Sequence, residues 1–213
     1  PNDSMGSDEI WKTATAALKD ALDEKKIQHK INEGDGAFYG PKIDFHIKDS
    51  LGRNWQLGTI QVDFSMPEKL GCYYISDKDK KEVPVMVHRA IFGSLERFIG
   101  ILIEHYGGKF PLWLAPVQAI VFPVSDKSEK YAREVFEKMR AAGIRAEFDS
   151  RGETVGYKVR DAELKKVPYI LTLGPKDEQA GSVAVRDKEG KVRFGVKAAD
   201  FIAEMQKEIS LKK

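Results

Sequence analysis

Residues 43–64 read IDFHIKDSLGRNWQLGTIQVDF, and this stretch decides the class of the first half of the chain. In 43–48, Ile43, Phe45 and Ile47 alternate with Asp44, His46 and Lys48, the two-residue period of a half-buried strand. LGRN at 51–54 supplies a turn, and alternation resumes through 55–64, so the pair is predicted as an antiparallel hairpin. Strict alternation puts Leu57, Thr59, Gln61 and Asp63 on one side of the second strand and Gln56, Gly58, Ile60 and Val62 on the other. A face bearing Thr, Gln and Asp in succession is too polar for a core and too poor in charge for an ordinary solvated face. It reads as a floor of neutral hydrogen-bonding groups for a ligand, or as the exposed strand of an open sheet; spacing leaves both open.

Working outward, residues 7–26 carry Ile10, Ala14, Ala17, Leu18, Ala21 and Leu22 at helical spacing, with Ser7 or Asp8 as the cap. EGDGAFYGPK (33–42) holds three glycines and a proline, a loop whose backbone needs unusual dihedrals or close approach. VPVMVH (83–88) predicts a short strand, and Ile91, Leu95, Phe98, Ile99, Leu102 and Ile103 predict a helix that Gly107 and Gly108 end. KFPLWLAPVQ (109–118) reads as an interdomain linker held by Trp113 and Leu114.

After that the rhythm changes. Strands are predicted at 118–123, 144–148 and 168–173, and helices at 126–142, 155–166 and 197–211, with a hairpin at 182–186 and 191–196. Asp126 and Glu129 suit a capping box for the first of these helices. Strands alternating with helices imply crossovers and a mostly parallel sheet. The fold class expected is therefore α+β with an antiparallel sheet, followed by an α/β domain with a mixed, mostly parallel sheet.

Composition narrows the classes. With 42% hydrophobic and 32% charged residues, the 213-residue chain suits a soluble globular protein of two small domains. No apolar run approaches the roughly 20 residues of a membrane span, and residues 1–8 are polar and acidic, unlike a secretory signal. One cysteine, Cys72, rules out an internal disulfide or a zinc ribbon built by this chain alone. Net charge is +2, with 15 basic and 17 acidic residues in 1–115 and 20 basic and 16 acidic in 116–213. A mildly basic second half is compatible with phosphate contact and equally with solvated surface.

His88 ends an apolar strand, where a histidine is either hydrogen-bonded structure or a metal ligand. Arg97 lies on the following helix and needs a carboxylate, phosphate or aromatic face for its fork, with Glu96 and Glu104 as simple partners.

GDGAFYGPKIDFHIKDSLGRNWQLGTIQVDF together with VPVMVHRAIFGSLERFIGILIEHYGGKFPLWLAPVQ resembles the second half of a class II threonyl-tRNA synthetase catalytic domain, with HRAIFGSLERF resembling motif 3. The remainder resembles the anticodon-binding domain shared by threonyl, prolyl, histidyl and glycyl enzymes. AFYGPK and QLGTIQVDF favour the threonyl branch. The resemblance implies residues 1–115 as the C-terminal portion of the catalytic domain and 116–213 as the anticodon-binding domain. It implies threonine–tRNA ligase activity, with ATP, Mg²⁺ and Zn²⁺, a homodimeric parent, tRNA(Thr) as partner and a cytoplasmic setting.

By the same resemblance His88 is one of three zinc ligands, and Arg97 stacks on adenine. Lys42 sits near the activated carboxylate and α-phosphate, and Tyr39, Gln56, Thr59, Gln61 and Ser94 border the substrate. Arg151, Lys158, Arg160, Asp177 and Arg186 belong to the anticodon face, where family members often carry asparagine at the position of Gly152. The resemblance places motifs 1 and 2 and the other two zinc ligands, a cysteine and a histidine, before Pro1; Cys72 is not expected to replace one. A fragment of this kind is expected not to form the adenylate alone. The rival reading is a non-catalytic RNA-binding or regulatory paralogue that keeps the anticodon module; a prolyl or glycyl relative is a weaker one.

Overall fold

The hairpin forms where alternation predicts it. In the computed structural model, which describes residues 3–212, helix α1 (Asp8–Glu24) comes first, capped by Ser7, whose side chain accepts from the Ile10 amide. Strands β1 (Lys42–Lys48) and β2 (Asn54–Asp63) then pair antiparallel, from Lys42 opposite Gln61 to Lys48 opposite Asn54. The turn is tied by Asp49, whose Oδ1 accepts from the amides of Leu51 and Arg53 and whose Oδ2 accepts from Trp55 Nε1 at 2.8 Å.

One departure from strict alternation matters. Phe45 faces Gly58, but the next residue of β1, His46, faces Gln56, so Leu57 is an extra residue on β2. This β-bulge resets the parity. Gln56 turns to the Thr59 side, where its Nε2 donates to Thr59 Oγ1 at 3.1 Å and to Asp44 Oδ1 at 2.7 Å. The predicted split of Gln56 from Thr59 is thereby corrected.

A single helical turn, α2 (Met66–Lys69), and a two-residue hairpin of β3 (Tyr74–Ile75) and β4 (Lys81–Glu82) follow, neither signalled by periodicity. Strand β5 (Met86–Ala90) pairs antiparallel with β2, giving the sheet order β1-β2-β5. It begins after the predicted Val83 because Pro84 has no amide to give a ladder. Helix α3 (Leu95–Tyr106) starts later than predicted, since Gly93 takes φ 63° beside the Leu57 carbonyl, and ends at Gly107 and Gly108, both at positive φ.

The chain forms two compact units, Pro1–Ile101 and Leu102–Lys213. The second contains the proline-bearing stretch predicted as a linker. Its anchor is Leu112, only 1% exposed, rather than Trp113 or Leu114. Buried Gln118 donates to the Leu112 carbonyl and accepts from the Arg145 amide.

Strand β6 (Ala119–Pro123) leads to a 3₁₀ turn at Asp126–Ser128 and helix α4 (Glu129–Ala141). That turn takes the place of the predicted Asp126 capping box. Then come β7 (Ala146–Phe148), α5 (Val155–Leu164), β8 (Tyr169–Leu173), the short α6 (Pro175–Ala180), β9 (Ser182–Asp187), β10 (Val192–Lys197) and α7 (Ala198–Ser210). The sheet order is β10-β9-β8-β6-β7; β6 runs parallel to β7 and β8, and β9 antiparallel to β8 and β10. Buried Val121, Val135, Met139, Leu171, Phe201 and Met205 unite one sheet face with α4 and α7, while Ile120, Phe122, Ala162, Val167 and Ile170 unite the other with α5. This is the mixed, mostly parallel sheet with helices on both faces that alternating elements imply.

Candidate active site and candidate nucleic-acid interface

Register sets which side chains of the first unit meet. Lys42 stands opposite Gln61, Asp44 opposite Thr59, and on the third strand His88 opposite Gln61 and Ala90 opposite Thr59. These residues share a face, and Lys42, Thr59, Gln61, His88 and Ala90 line a cleft of about 510 Å³ with Asp35, Gly36, Ala37, Tyr39, Gln56 and Arg89, with Asp44 behind its wall. That volume lies in the range of small-molecule sites, roughly 300–1,000 Å³.

The glycine loop reaches the cleft because Gly40 permits it. A Cβ there would lie 1.9 Å from the Val62 carbonyl oxygen, so only glycine lets the two backbones approach this closely. The Val62 amide donates to Pro41 O at 3.0 Å and the Phe64 amide to Tyr39 O at 3.1 Å, extending the sheet into the loop. Tyr39 is thus delivered to the floor, where its hydroxyl donates to Gln61 Oε1 at 3.2 Å.

Asp44 organises one end of the cleft. Its Oδ1 accepts from Gln56 and Thr59, and its Oδ2 holds the Lys42 amine at 2.6 Å. The hydrogen bond to Asp44 raises the Lys42 pKa, so the lysine is a fixed cation there. At the other end His88, with a half-exposed side chain, bonds through Nε2 to the buried Asp63 carboxylate at 2.9 Å. Asp63 also accepts from the Ser65 and Met66 amides. Burial pushes its pKa up, but the bonds from Met66, His88 and Ser65 outweigh that and hold it below the ordinary carboxylate value.

Six of the eight residues predicted for this site therefore meet: Tyr39, Lys42, Gln56, Thr59, Gln61 and His88. Arg97 and Ser94 do not line the cleft. The Arg97 guanidinium lies over the Trp55 ring, 5.2 Å from its centroid, and reaches the Gln56 carbonyl at 3.4 Å. Ser94 Oγ accepts from the Arg97 amide and donates to Glu96, so it acts as a cap at the start of α3. Sequence reasoning missed Asp44 and Trp55, and it placed Asp63 on the polar face without its partner His88. Asp44 was findable, because hairpin register alone puts it opposite Thr59.

His88 fits a metal by its carboxylate partner, the usual company of a ligating imidazole. Among the described residues no group of three His, Cys, Asp or Glu could hold a metal ion.

In the second unit the predicted anticodon residues divide. Arg160, on α5, is exposed, and its guanidinium has no hydrogen bond or ion pair to another described residue. Arg186 is partly exposed and close to Glu163 Oε1 (3.5 Å) and the Gly190 carbonyl (3.2 Å). Arg151 is held by two carboxylates, Asp149 and Asp161, each at 2.7 Å, and both carboxyls sit below their usual range chiefly because of that arginine.

Lys158 is a correction. It is 4% exposed, over the Phe122 ring, and donates to the Asp149 carbonyl, so its amine faces inward rather than toward phosphate. Asp177 caps its own helix, accepting from the Gly174 amide and from Ser182. Tyr157, half exposed beside Arg151, carried no prior signal. No described helix is long and apolar enough to cross a membrane.

Comparison with known proteins now bears on these sites. Residues 4–106 match the family described as tRNA synthetase class II core domain (G, H, P, S and T), and residues 118–208 match the anticodon binding domain. The threonine–tRNA ligase of Carboxydothermus hydrogenoformans is 55% identical over the whole chain, which covers 34% of that protein. That of Syntrophomonas wolfei is 58% identical over 89% of the chain and 30% of its own length. The chain thus spans about a third of the length of these relatives.

Among solved structures, the RNA binding domain of threonyl-tRNA synthetase from Cryptosporidium parvum superposes with a TM-score of 0.85 at 37% identity, over 98% of this chain and 53% of that one. Prolyl-tRNA synthetase of the same organism shares the fold, with a TM-score of 0.62 at 21% identity over 94% of this chain and 49% of that one.

Proposed function

The chain belongs to the threonine–tRNA ligases, a class II synthetase family, and we propose that the protein carrying it activates threonine with ATP and transfers it to tRNA(Thr). The observation that carries this reading is the cleft: a floor of neutral donors and acceptors, with a fixed cation at one end and a carboxylate-backed histidine at the other. Residues 1–115 supply this part of the catalytic domain, and residues 116–213 supply the anticodon-binding domain.

Each group has a task. Tyr39, Gln56, Thr59 and Gln61 orient the polar atoms of a small amino acid. The Lys42 ammonium meets the carboxylate and the α-phosphate, where negative charge concentrates as the mixed anhydride forms and pyrophosphate leaves. Arg97, with one face on Trp55, offers its other face to adenine. His88 contributes one ligand to a zinc completed by residues beyond this chain. A bound zinc supplies a Lewis acid for the amino and hydroxyl groups of threonine. Valine, nearly isosteric, leaves that site unpaired, the strongest form of rejection available to a binding pocket. Mg²⁺ accompanies the ATP phosphates.

On the second unit, Arg160 and Arg186 are the contacts proposed for the anticodon loop, with Arg151 as a positioned third. Lys158 and Asp177 hold the elements that present them. The whole protein acts in the cytoplasm as a homodimer.

The test is threonine-dependent ATP–pyrophosphate exchange. The full-length protein should exchange, Lys42→Met should lower kcat by on the order of 10²-fold, and the isolated 213-residue chain should not exchange. No threonine-dependent exchange by the full-length protein would sink the assignment; robust exchange by the isolated chain would overturn its dependence on the rest of the protein, and full activity of Lys42→Met would remove Lys42 from the chemistry.

A further inference from the structure

Phe194, on β10, is 80% exposed, more than any other large apolar side chain among the described residues, and no described ring or cation packs on it. A phenylalanine left in water forgoes the stabilisation that burial gives. Its place follows from the register of the second sheet. Arg193 lies opposite Val185 and Val196 opposite Val183, so Phe194 and Gly195 together oppose Ala184, a bulge in which Gly195 takes φ 66°. Val183 and Val185 join the core shared with α4 and α7, and Arg193 pairs with Glu204 of α7 at 2.9 Å. Phe194, next in alternation, stands on the opposite face, the one that α5 covers.

Ala184 and Arg186 share that face, and the contact of Arg186 with Glu163 of α5 fixes the side. Val192 is opposite Arg186, which makes Phe194 the diagonal cross-strand neighbour of Arg186, about 7–8 Å away. On α5, Arg160 and Tyr157 precede Glu163 by about one and two turns, so they line the same side of the helix. Helix α5 joins the parallel strands β7 and β8, and β9 runs antiparallel to β8, so α5 and β9 run the same way. One turn back from Glu163 therefore corresponds to the step from Arg186 to Ala184. Arg160 on the helix and Phe194 on the outer strand stand on either side of Ala184, whose single methyl keeps the floor between them low.

We infer, on the reading of residues 116–213 as the anticodon-binding domain, that Phe194 is a stacking platform for a base of the anticodon loop. Unpaired bases of RNA loops are splayed out and stacked on aromatic rings while polar side chains read their edges. Arg186 is placed to meet the edge of such a base, and Arg160, whose guanidinium has no partner among the described residues, to meet a neighbouring phosphate. Strand β10 is the edge of its sheet, and Lys191 and Lys197 put positive charge at its two ends. That charge opposes pairing with a second copy of the chain and attracts a polyanion.

The test is binding of the threonine anticodon stem-loop to the full-length protein, read by fluorescence anisotropy at several salt concentrations. Phe194→Ala should weaken binding by on the order of 10-fold, and Phe194→Leu nearly as much, because leucine keeps apolar contact without a flat ring. Phe194→Trp should stay within about twofold of wild type. Stacking releases no counterions, so the loss should be the same at every salt concentration. Should Phe194→Ala fail to fold, the Leu and Trp variants still decide between a ring and a merely apolar contact. Affinities of Phe194→Ala and Phe194→Leu within about twofold of wild type, where Arg186→Ala does weaken binding, overturn the stacking role alone and leave the anticodon reading standing. An equal loss in Phe194→Trp overturns it as well. A shift in sedimentation with unchanged affinity assigns Phe194 to contact between protein copies and overturns the RNA role. A wild-type protein that binds the threonine stem-loop no better than the same stem with a scrambled loop refutes the anticodon reading, and the role of Phe194 falls with it.

Discussion

Replacing Gly40 by alanine tests how the glycine loop is fastened to the sheet. The added Cβ would lie 1.9 Å from the Val62 carbonyl oxygen and 2.7 Å from its carbon, whereas real Cβ atoms essentially never come within 3.0 Å. No flexible side chain can yield there, because both neighbours are backbone. Loop and strand must part by about 1 Å or more, which carries the Val62–Pro41 and Phe64–Tyr39 hydrogen bonds from 3.0 and 3.1 Å beyond useful length. Two lost backbone bonds cost about 1–3 kcal/mol together, and a donor left buried adds about 1–3 more. A total of about 2–6 kcal/mol is a large share of the 5–15 kcal/mol typical of a domain.

At roughly 4–8 °C per kcal/mol for a unit of this size, the first-unit transition should fall by about 8 °C or more. Differential scanning calorimetry, with Trp11 and Trp55 fluorescence reporting on that unit, measures it. Gly100→Ala is the control: it sits within α3 with nothing within 4 Å of the added Cβ, and should stabilise by about 0.5–1 kcal/mol. A Gly40→Ala protein that melts within about 2 °C of wild type would refute the account of this approach.

Arg160→Ala should weaken binding of the threonine anticodon stem-loop almost uniformly across sequences and lower the salt slope by roughly 0.7–1, read from binding isotherms at several salt concentrations; an unchanged slope would remove Arg160 from the interface. Lys158→Ala should cost the second unit about 1–3 kcal/mol in urea unfolding, by leaving the buried Asp149 carbonyl unpaired, while stem-loop affinity of the folded variant stays within about twofold; a large affinity loss without destabilisation would restore Lys158 to the RNA face. For Asp49, the Trp55 hydrogen bond foremost and those of Arg53 and Leu51 lower the pKa from 3.8 to about 2. A depressed carboxylate stabilises the fold above its unfolded value and loses that contribution as pH falls through the folded one. The first unit should therefore lose this stability between about pH 4 and pH 2, and Asp49→Asn should flatten an acid-unfolding profile there; identical profiles would exclude the group.

Periodicity made the larger elements legible. The hairpin at 43–64, the long helices and the strand–helix alternation of the second half all rest on apolar spacing, which burial enforces. The short elements, α2, α6 and the β3–β4 hairpin, span too few residues to carry a period. The Leu57 bulge was invisible for another reason: nothing in QLGT announces which residue the partner strand will skip, and one skipped residue moves Gln56 across the sheet.

Six cleft residues came from a family resemblance and not from physics alone. Asp63 required the pairing of β2 with β5, a contact between segments some 25 positions apart that no local pattern encodes. Lys158 misled because a lysine among basic neighbours reads as surface, whereas its helical position beside Ala162 turns it inward over Phe122.

The central claim is that this chain belongs to a protein that attaches threonine to transfer RNA. Aminoacylation of tRNA(Thr) by the full-length protein, with threonine and valine compared, measures it most directly. Threonine should be esterified to the 3′-terminal adenosine, with valine disfavoured by on the order of 10⁴-fold for want of the hydroxyl. Charging with proline or glycine instead, or stem-loop binding with no charging at all, would contradict it.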